Sequence, residues 1–159
     1  MSFKFHTLRR EQWIARPIGQ VFAFFADAYN LEQITPPWLG FRILSASSNA
    51  ISEGTEIRYS LRLHGLPIHW LTEIRRWNPP HSFVDVQRSG PYSLWHHTHL
   101  FKAHGDRTRM IDVVRYALPF GLLGRIVHTL SVRNQVRTIF DYRRQRIEEL
   151  FTGPGIDAI

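Results

Sequence analysis

Between Glu56 and Arg75 apolar and polar side chains alternate. Ile57, Tyr59, Leu61 and Leu63 are interleaved with Glu56, Arg58, Ser60 and Arg62. After His64-Gly65-Leu66-Pro67, a turn, Ile68, Trp70, Thr72 and Ile74 are interleaved with His69, Leu71, Glu73 and Arg75. A period of two sends successive side chains to opposite faces, so this stretch reads as two half-buried strands joined by a tight connection. Past Pro119 the period becomes 3.6. Leu123, Val127 and Leu130 form one short stripe, and Val132, Val136, Ile139, Ile147 and Leu150 form a second. The step of two between Leu130 and Val132 breaks register and predicts a bend or short helix before a long one.

The remaining segments extend this pattern. Lys4–Ile14 reads as a strand. Pro17 suits the first turn of a helix carrying Ile18, Val21, Phe22 and Phe25 at helical spacing. Asn30–Ile34 reads as a second helical turn, capped by Asn30 and stopped by Pro36-Pro37. Strands follow at Gly40–Ala46, Phe83–Arg88, Leu94–Ala103 and Arg107–Ala117, separated by Asn78-Pro79-Pro80, Ser89-Gly90-Pro91 and His104-Gly105-Asp106. Short turns between strands imply an antiparallel meander, and a helix with one apolar stripe must cover one sheet face. One domain is expected over 1–152, with a flexible tail over 153–159 that begins at Gly153-Pro154-Gly155.

Composition narrows the function classes. The 159 residues are 43% apolar and 21% charged, enough to bury a core without staples. Cysteine is absent, which removes disulfides, thiolate chemistry and Cys-type zinc sites and is compatible with the cytoplasm, the expected location. No signal peptide or transmembrane helix is expected. The net charge of +7 is dispersed without a run of like charges, so nucleic acid is not an expected partner. No phosphate loop, HExxH pair or nucleophile elbow occurs; Gly121-Leu122-Leu123-Gly124 lacks the lysine of a phosphate loop.

This element order, together with Glu11-Gln12-Trp13-Ile14 through Pro17, Val21–Phe25, Asn30–Leu39, Gly90-Pro91-Tyr92, Trp95–Phe101, Asp112–Gly121 and Phe140-Asp141-Tyr142-Arg143, resembles the START-like (SRPBCC) superfamily. That group includes the birch-pollen-allergen fold and bacterial polyketide cyclase/dehydrase-like proteins. The resemblance implies an α+β helix-grip fold: a curved antiparallel sheet of about seven strands around a long C-terminal helix, with two short helices after the first strand. It implies an apolar ligand cavity and, because such folds host many functions, carries over no catalytic residue.

In such a fold, turn positions suggest which side chains meet. Centring each hairpin on its turn gives one row across the helix-facing side, Tyr59, Thr72, Asp85, His97 and Asp112. A second row is Leu61, Trp70, Gln87, Trp95 and Val114. A third is Ile57, Ile74, Phe83, His99 and Met110. The candidate ligand-binding residues are Tyr59, Leu61, Trp70, Thr72, Asp85, Gln87, Trp95, His97, His99, Asp112, Val114, Tyr116 and Arg143. His97, set between two carboxylates, is expected to have a raised pKa, and could orient a polar ligand head or move a proton. The plain alternative is a buried network that satisfies only itself.

Arg143, on the helix stripe, either meets an anionic ligand in the cavity or covers the core with its stem and sends its head to water. Arg133, Arg137 and Arg144 are expected on a solvated face, with Arg137–Asp141 and Arg144–Glu148 as i,i+4 pairs. His97 and His99 share a strand face while His96 points away. With Asp112 they could hold zinc, but strand histidines without cysteine are more often ordinary polar residues, so neither metal nor cofactor is expected. Leu63–Pro67 and Leu118–Gly124 are candidates for a ligand gate or membrane touch point. The expected function is to bind, sequester or transport a hydrophobic small molecule or lipid. The rivals are a cyclase or dehydratase using a His-Asp pair, an interaction module with a filled cavity, and a basic nucleic-acid binder.

Overall fold

A computed structural model describes residues 5–119 and 131–153. Seven strands form one antiparallel sheet: β1 (His6–Ile14), β2 (Arg42–Ala46), β3 (Glu56–Leu63), β4 (Leu66–Asn78), β5 (Ser82–Ser89), β6 (Leu94–His104) and β7 (Arg107–Ala117). Their order is β1-β7-β6-β5-β4-β3-β2, so the meander closes only by β1 returning alongside β7. Helix α1 (Ile18–Phe25) and two 3-10 segments, Ala28–Ile34 and Pro37–Leu39, bridge β1 and β2, and the long helix α2 (Arg133–Thr152) follows the sheet. This is the helix-grip arrangement. The expected stripe over Leu123, Val127 and Leu130, most of the 118–124 connection and the tail beyond 153 lie outside the described residues.

Strand faces follow the alternation, but three hairpins are shifted by two residues from the expected rows. Tyr59 is opposite Trp70 rather than Thr72, Thr72 opposite Gln87 rather than Asp85, and His97 opposite Val114 rather than Asp112. Asp85 does lie opposite His97. The causes are in the turns. His64-Gly65 is a two-residue loop with both residues at positive φ, 51° and 79°, which pairs Leu63 with Leu66. Gly105-Asp106 is likewise a two-residue loop, pairing His104 with Arg107. On β4, irregularities at Leu71/Thr72 and Ile74/Arg76 shift the pairing with β5 again. A shift of two keeps every side chain on its face, so the inner set survives.

The second short helix starts earlier than expected. Asp27 caps it by accepting from the Tyr29 backbone N–H at 2.9 Å, while Asn30 donates to the Phe24 carbonyl at 2.9 Å. On α2 the buried stripe is Val136, Phe140, Arg143, Ile147 and Phe151, at steps of four, three, four and four. Arg133, Arg137 and Arg144 are exposed as expected. Asp141, however, accepts from Arg10 of β1 at 2.9 and 3.1 Å and so ties α2 to the sheet edge rather than to its own helix.

Candidate functional site

Between α2 and the inner sheet face lies a cavity of about 190 Å³. Its walls come from every layer: Phe24 and Phe25 of α1, Leu31 and Ile34 of the first 3-10 segment, Tyr59 and Leu61 of β3, Trp70 and Thr72 of β4, and Val136, Ile139 and Phe140 of α2. The aromatic rings near β3 and β4 lean on one another. Tyr59 stacks on Trp70 at 5.7 Å, and Trp70 meets Trp95 edge-on at 5.3 Å. The cavity is not filled by these rings, contrary to the interaction-module rival. Among its polar walls, Asp27, Asn30 and Thr35 are engaged in hydrogen bonds within the α1 and 3-10 region. Tyr59 and Thr72 share a hydroxyl hydrogen bond of 3.1 Å.

The charged part of the wall belongs to a four-membered cluster of Asp85, His97, His99 and, behind them, Asp112 on β5, β6 and β7. His99 Nε2 donates to Asp85 Oδ2 at 2.7 Å, and His97 Nε2 donates to Asp112 Oδ1 at 2.9 Å. The other ring nitrogens face the remaining carboxylates: His97 Nδ1 is 3.5 Å from Asp85, and His99 Nδ1 is 3.1 Å from Asp112 but out of line for a hydrogen bond. Each histidine therefore touches both aspartates. His99 stacks on Phe83 at 3.9 Å and meets the tilted ring of His97 at 3.7 Å. Phe140 of α2 meets His97 edge-on.

Burial and charge split this cluster. Burial, and then repulsion by His99, pushes His97 down to about 4 in spite of both carboxylates. His99 also loses to burial, but Asp112 and Asp85 together raise it above the ordinary imidazole value. The expectation of a raised His97 is thus corrected: its neighbour His99 is the one raised, because two rings in contact in a buried space resist charging together. Burial raises both carboxyls, and their histidine and arginine partners outweigh it. Asp85 is lowered mainly by His97 and His99, and Asp112 is held well below the usual range first by Arg143. Arg143 itself is only 8% exposed, sits over the rings of Phe25 and Phe140, and faces the cavity rather than sending its head to water. With Asp85 and Asp112 ionised, Arg143 and a protonated His99 would balance their charge.

Of the residues expected to meet a ligand, Tyr59, Leu61, Trp70, Thr72, Asp85, Trp95, His97, His99 and Arg143 line the cavity. Gln87, Asp112, Val114 and Tyr116 do not. The Gln87 amide is spent on the Tyr92 backbone, donating at 2.7 Å and accepting at 3.2 Å. Asp112 lies behind the two histidines. Val114 and Tyr116 are packed with Leu8, Val136 and Phe140. Among the helical wall residues, Phe140 was missed because the expected stripe on α2 omitted it, although its spacing to Val136 and Arg143 was there to be read. Of the proposed gate segments, Leu63 lines the cavity and Leu66 is exposed.

Among the described residues no helix is long and apolar enough to cross a membrane. No curated protein matches the chain. Solved structures do resemble it. Protein CV1439 from Chromobacterium violaceum is 12% identical with a TM-score of 0.72, over 93% of this chain and 99% of that one. A START superfamily protein from Mycobacterium smegmatis is 14% identical with a TM-score of 0.68, over 91% and 99%. The Zhui aromatase/cyclase from Streptomyces sp. R1128 is 13% identical with a TM-score of 0.66, over 92% and 96%. At such identities the likeness is one of fold. The family model described as polyketide cyclase/dehydrase and lipid transport matches residues 14–140, which is most of the sequence. With that match and the helix-grip fold around its cavity, the chain belongs to the polyketide cyclase/dehydrase and lipid-transport family.

Proposed function

We propose that the protein binds a small hydrophobic molecule, or one end of a lipid, inside the cavity, and holds or carries it. The observation that carries this reading is an unfilled space whose walls are mostly apolar, with its buried and half-buried ionic groups gathered at Asp85, His97, His99 and Arg143. Apolar surface favours an apolar guest, and a few convergent polar groups orient it. The balanced charge of the cluster suits a neutral polar end, such as a hydroxyl or carbonyl. Size supports a modest guest: an apolar cavity of ~150 Å³ holds one benzene, so this one suits a ring or two or a short acyl chain.

The test is mass analysis of small molecules released from protein purified from its native host. A stoichiometric hydrophobic compound is the expected result. Trp70→Ala or Trp95→Ala is expected to abolish its retention while the chain stays folded. Unchanged retention in both variants would remove these rings from the ligand wall.

A second reading, a cyclase- or dehydratase-type enzyme, is favoured by one feature: the two cavity-facing histidines are pushed in opposite directions. A charged His99 suits a general acid and a neutral His97 a general base. It requires turnover of a carbonyl compound that is lost in His99→Gln with ligand binding retained.

A further inference from the structure

Asp85, His97 and His99 bring one carboxylate oxygen and two imidazole nitrogens within 4.8 Å of one another. We propose that they form a binding site for a divalent first-row transition-metal ion, with Asp112 as the carboxylate that orients both histidines from behind. This goes beyond the ligand reading and does not depend on it.

Spacing is the first support. Asp85 Oδ2 lies 2.7 Å from His99 Nε2 and 3.5 Å from His97 Nδ1. Ligand atoms bound at ~2.0–2.1 Å to one tetrahedral ion stand roughly 3.3 Å apart, so the observed separations bracket the required one. Small movements of side chains would admit an ion without moving the strands.

The outer shell is the second. Histidines that bind a metal through one nitrogen usually give the other N–H to a carboxylate, which fixes ring orientation. Here His97 Nε2 donates to Asp112 Oδ1 at 2.9 Å, and His99 Nδ1 lies 3.1 Å from the same oxygen, where a turn of the ring would bring it into line. One aspartate thus faces both near nitrogens and the other faces both remote ones. Phe83 stacked on His99 and Phe140 against His97 hold the rings in place.

Access is the third. Asp85, His97 and His99 line the cavity, whereas Asp112 does not. Asp85 keeps 16% side-chain exposure. Three protein ligands on one side leave the cavity side of the ion for water or an oxygen of a bound molecule. Two imidazoles and one carboxylate select zinc, ferrous iron or a similar ion over calcium and magnesium, which prefer oxygen.

The experiment is titration of the full chain, freed of metal, with cobalt(II) followed by visible absorption and with zinc(II) followed by calorimetry. One equivalent is expected to bind, with the intense visible bands of low-coordinate cobalt. Asp85→Asn is expected to weaken binding by more than about 100-fold and Asp112→Asn by about 10–100-fold. His96→Gln, on the other face of β6, should leave it unchanged. Circular dichroism checks that each variant is folded. The unaltered protein supplies a readout free of that concern: zinc should shift the ring-nitrogen resonances of His97 and His99, and not those of the exposed His64 and His81. Failure to bind one equivalent, equal affinity in folded Asp85→Asn, or shifts confined to exposed histidines would overturn the site. Any of these would leave the cavity reading standing.

Discussion

At the α1 end of the inner face, aromatic rings meet ring to ring and leave no room. Phe101 touches Phe22 at 5.5 Å, Phe25 at 5.4 Å and Phe83 at 6.1 Å. Toward β3 and β4, rings just as large surround a hollow. The difference is not aromatic content but what faces the rings. Phe22 and Phe25 come down from α1 onto rings standing on β5 and β6, so side chains enter from both layers and interlock. Tyr59 on β3 and Trp95 on β6 both lean on Trp70 of β4, while α2 opposes them with the smaller Val136 and Ile139. A curved sheet and one helix do not by themselves decide between core and cavity; the size of the opposing side chains does.

Substitutions in the two regions test this difference. The largest effect is expected at the solid end. Phe101 is 1% exposed, and Phe101→Ala should cost about 4 kcal/mol in urea unfolding. A cost under about 1 kcal/mol would mean that this end is loosely packed after all. Next comes a pair that adds volume in each region. Val21→Phe, at a fully buried position in the solid cluster, should lose about 2 kcal/mol by overpacking. Ile139→Phe, on the cavity wall, should stay within about 1 kcal/mol of the parent and reduce uptake of a hydrophobic fluorescent probe. Equal costs for the two would erase the distinction between the regions. The smallest effect is expected at the rim. Asp141→Ala removes the exposed pair with Arg10 and should cost less than about 1 kcal/mol, with that small cost fading as salt rises in the same unfolding assay.

Legibility in the sequence followed the kind of information each feature needs. The inward set Tyr59, Trp70, Thr72, Asp85, His97 and His99 was readable because a period of two is local. The partners were less so. Register depends on where each turn is centred, and His64-Gly65 and Gly105-Asp106 are shorter than the Gly- and Pro-containing segments around them suggest. The Asp112–His97 contact nevertheless exists at 2.9 Å, since long side chains reach a diagonal neighbour across strands. The pKa split was not readable at all. It arises from His97 and His99 sharing one dry space, and burial is a property of the assembled layers.

The sequence alone determined the strand faces, the helix stripe and the family resemblance, because alternation, helical spacing and turn residues act over a few positions. Assembly of the layers settles which carboxylate meets which imidazole, which of the two histidines is raised and which lowered, that Arg143 turns inward, and that the space beneath α2 stays open. Those outcomes depend on distances between residues far apart in the chain and on the water excluded when the layers close.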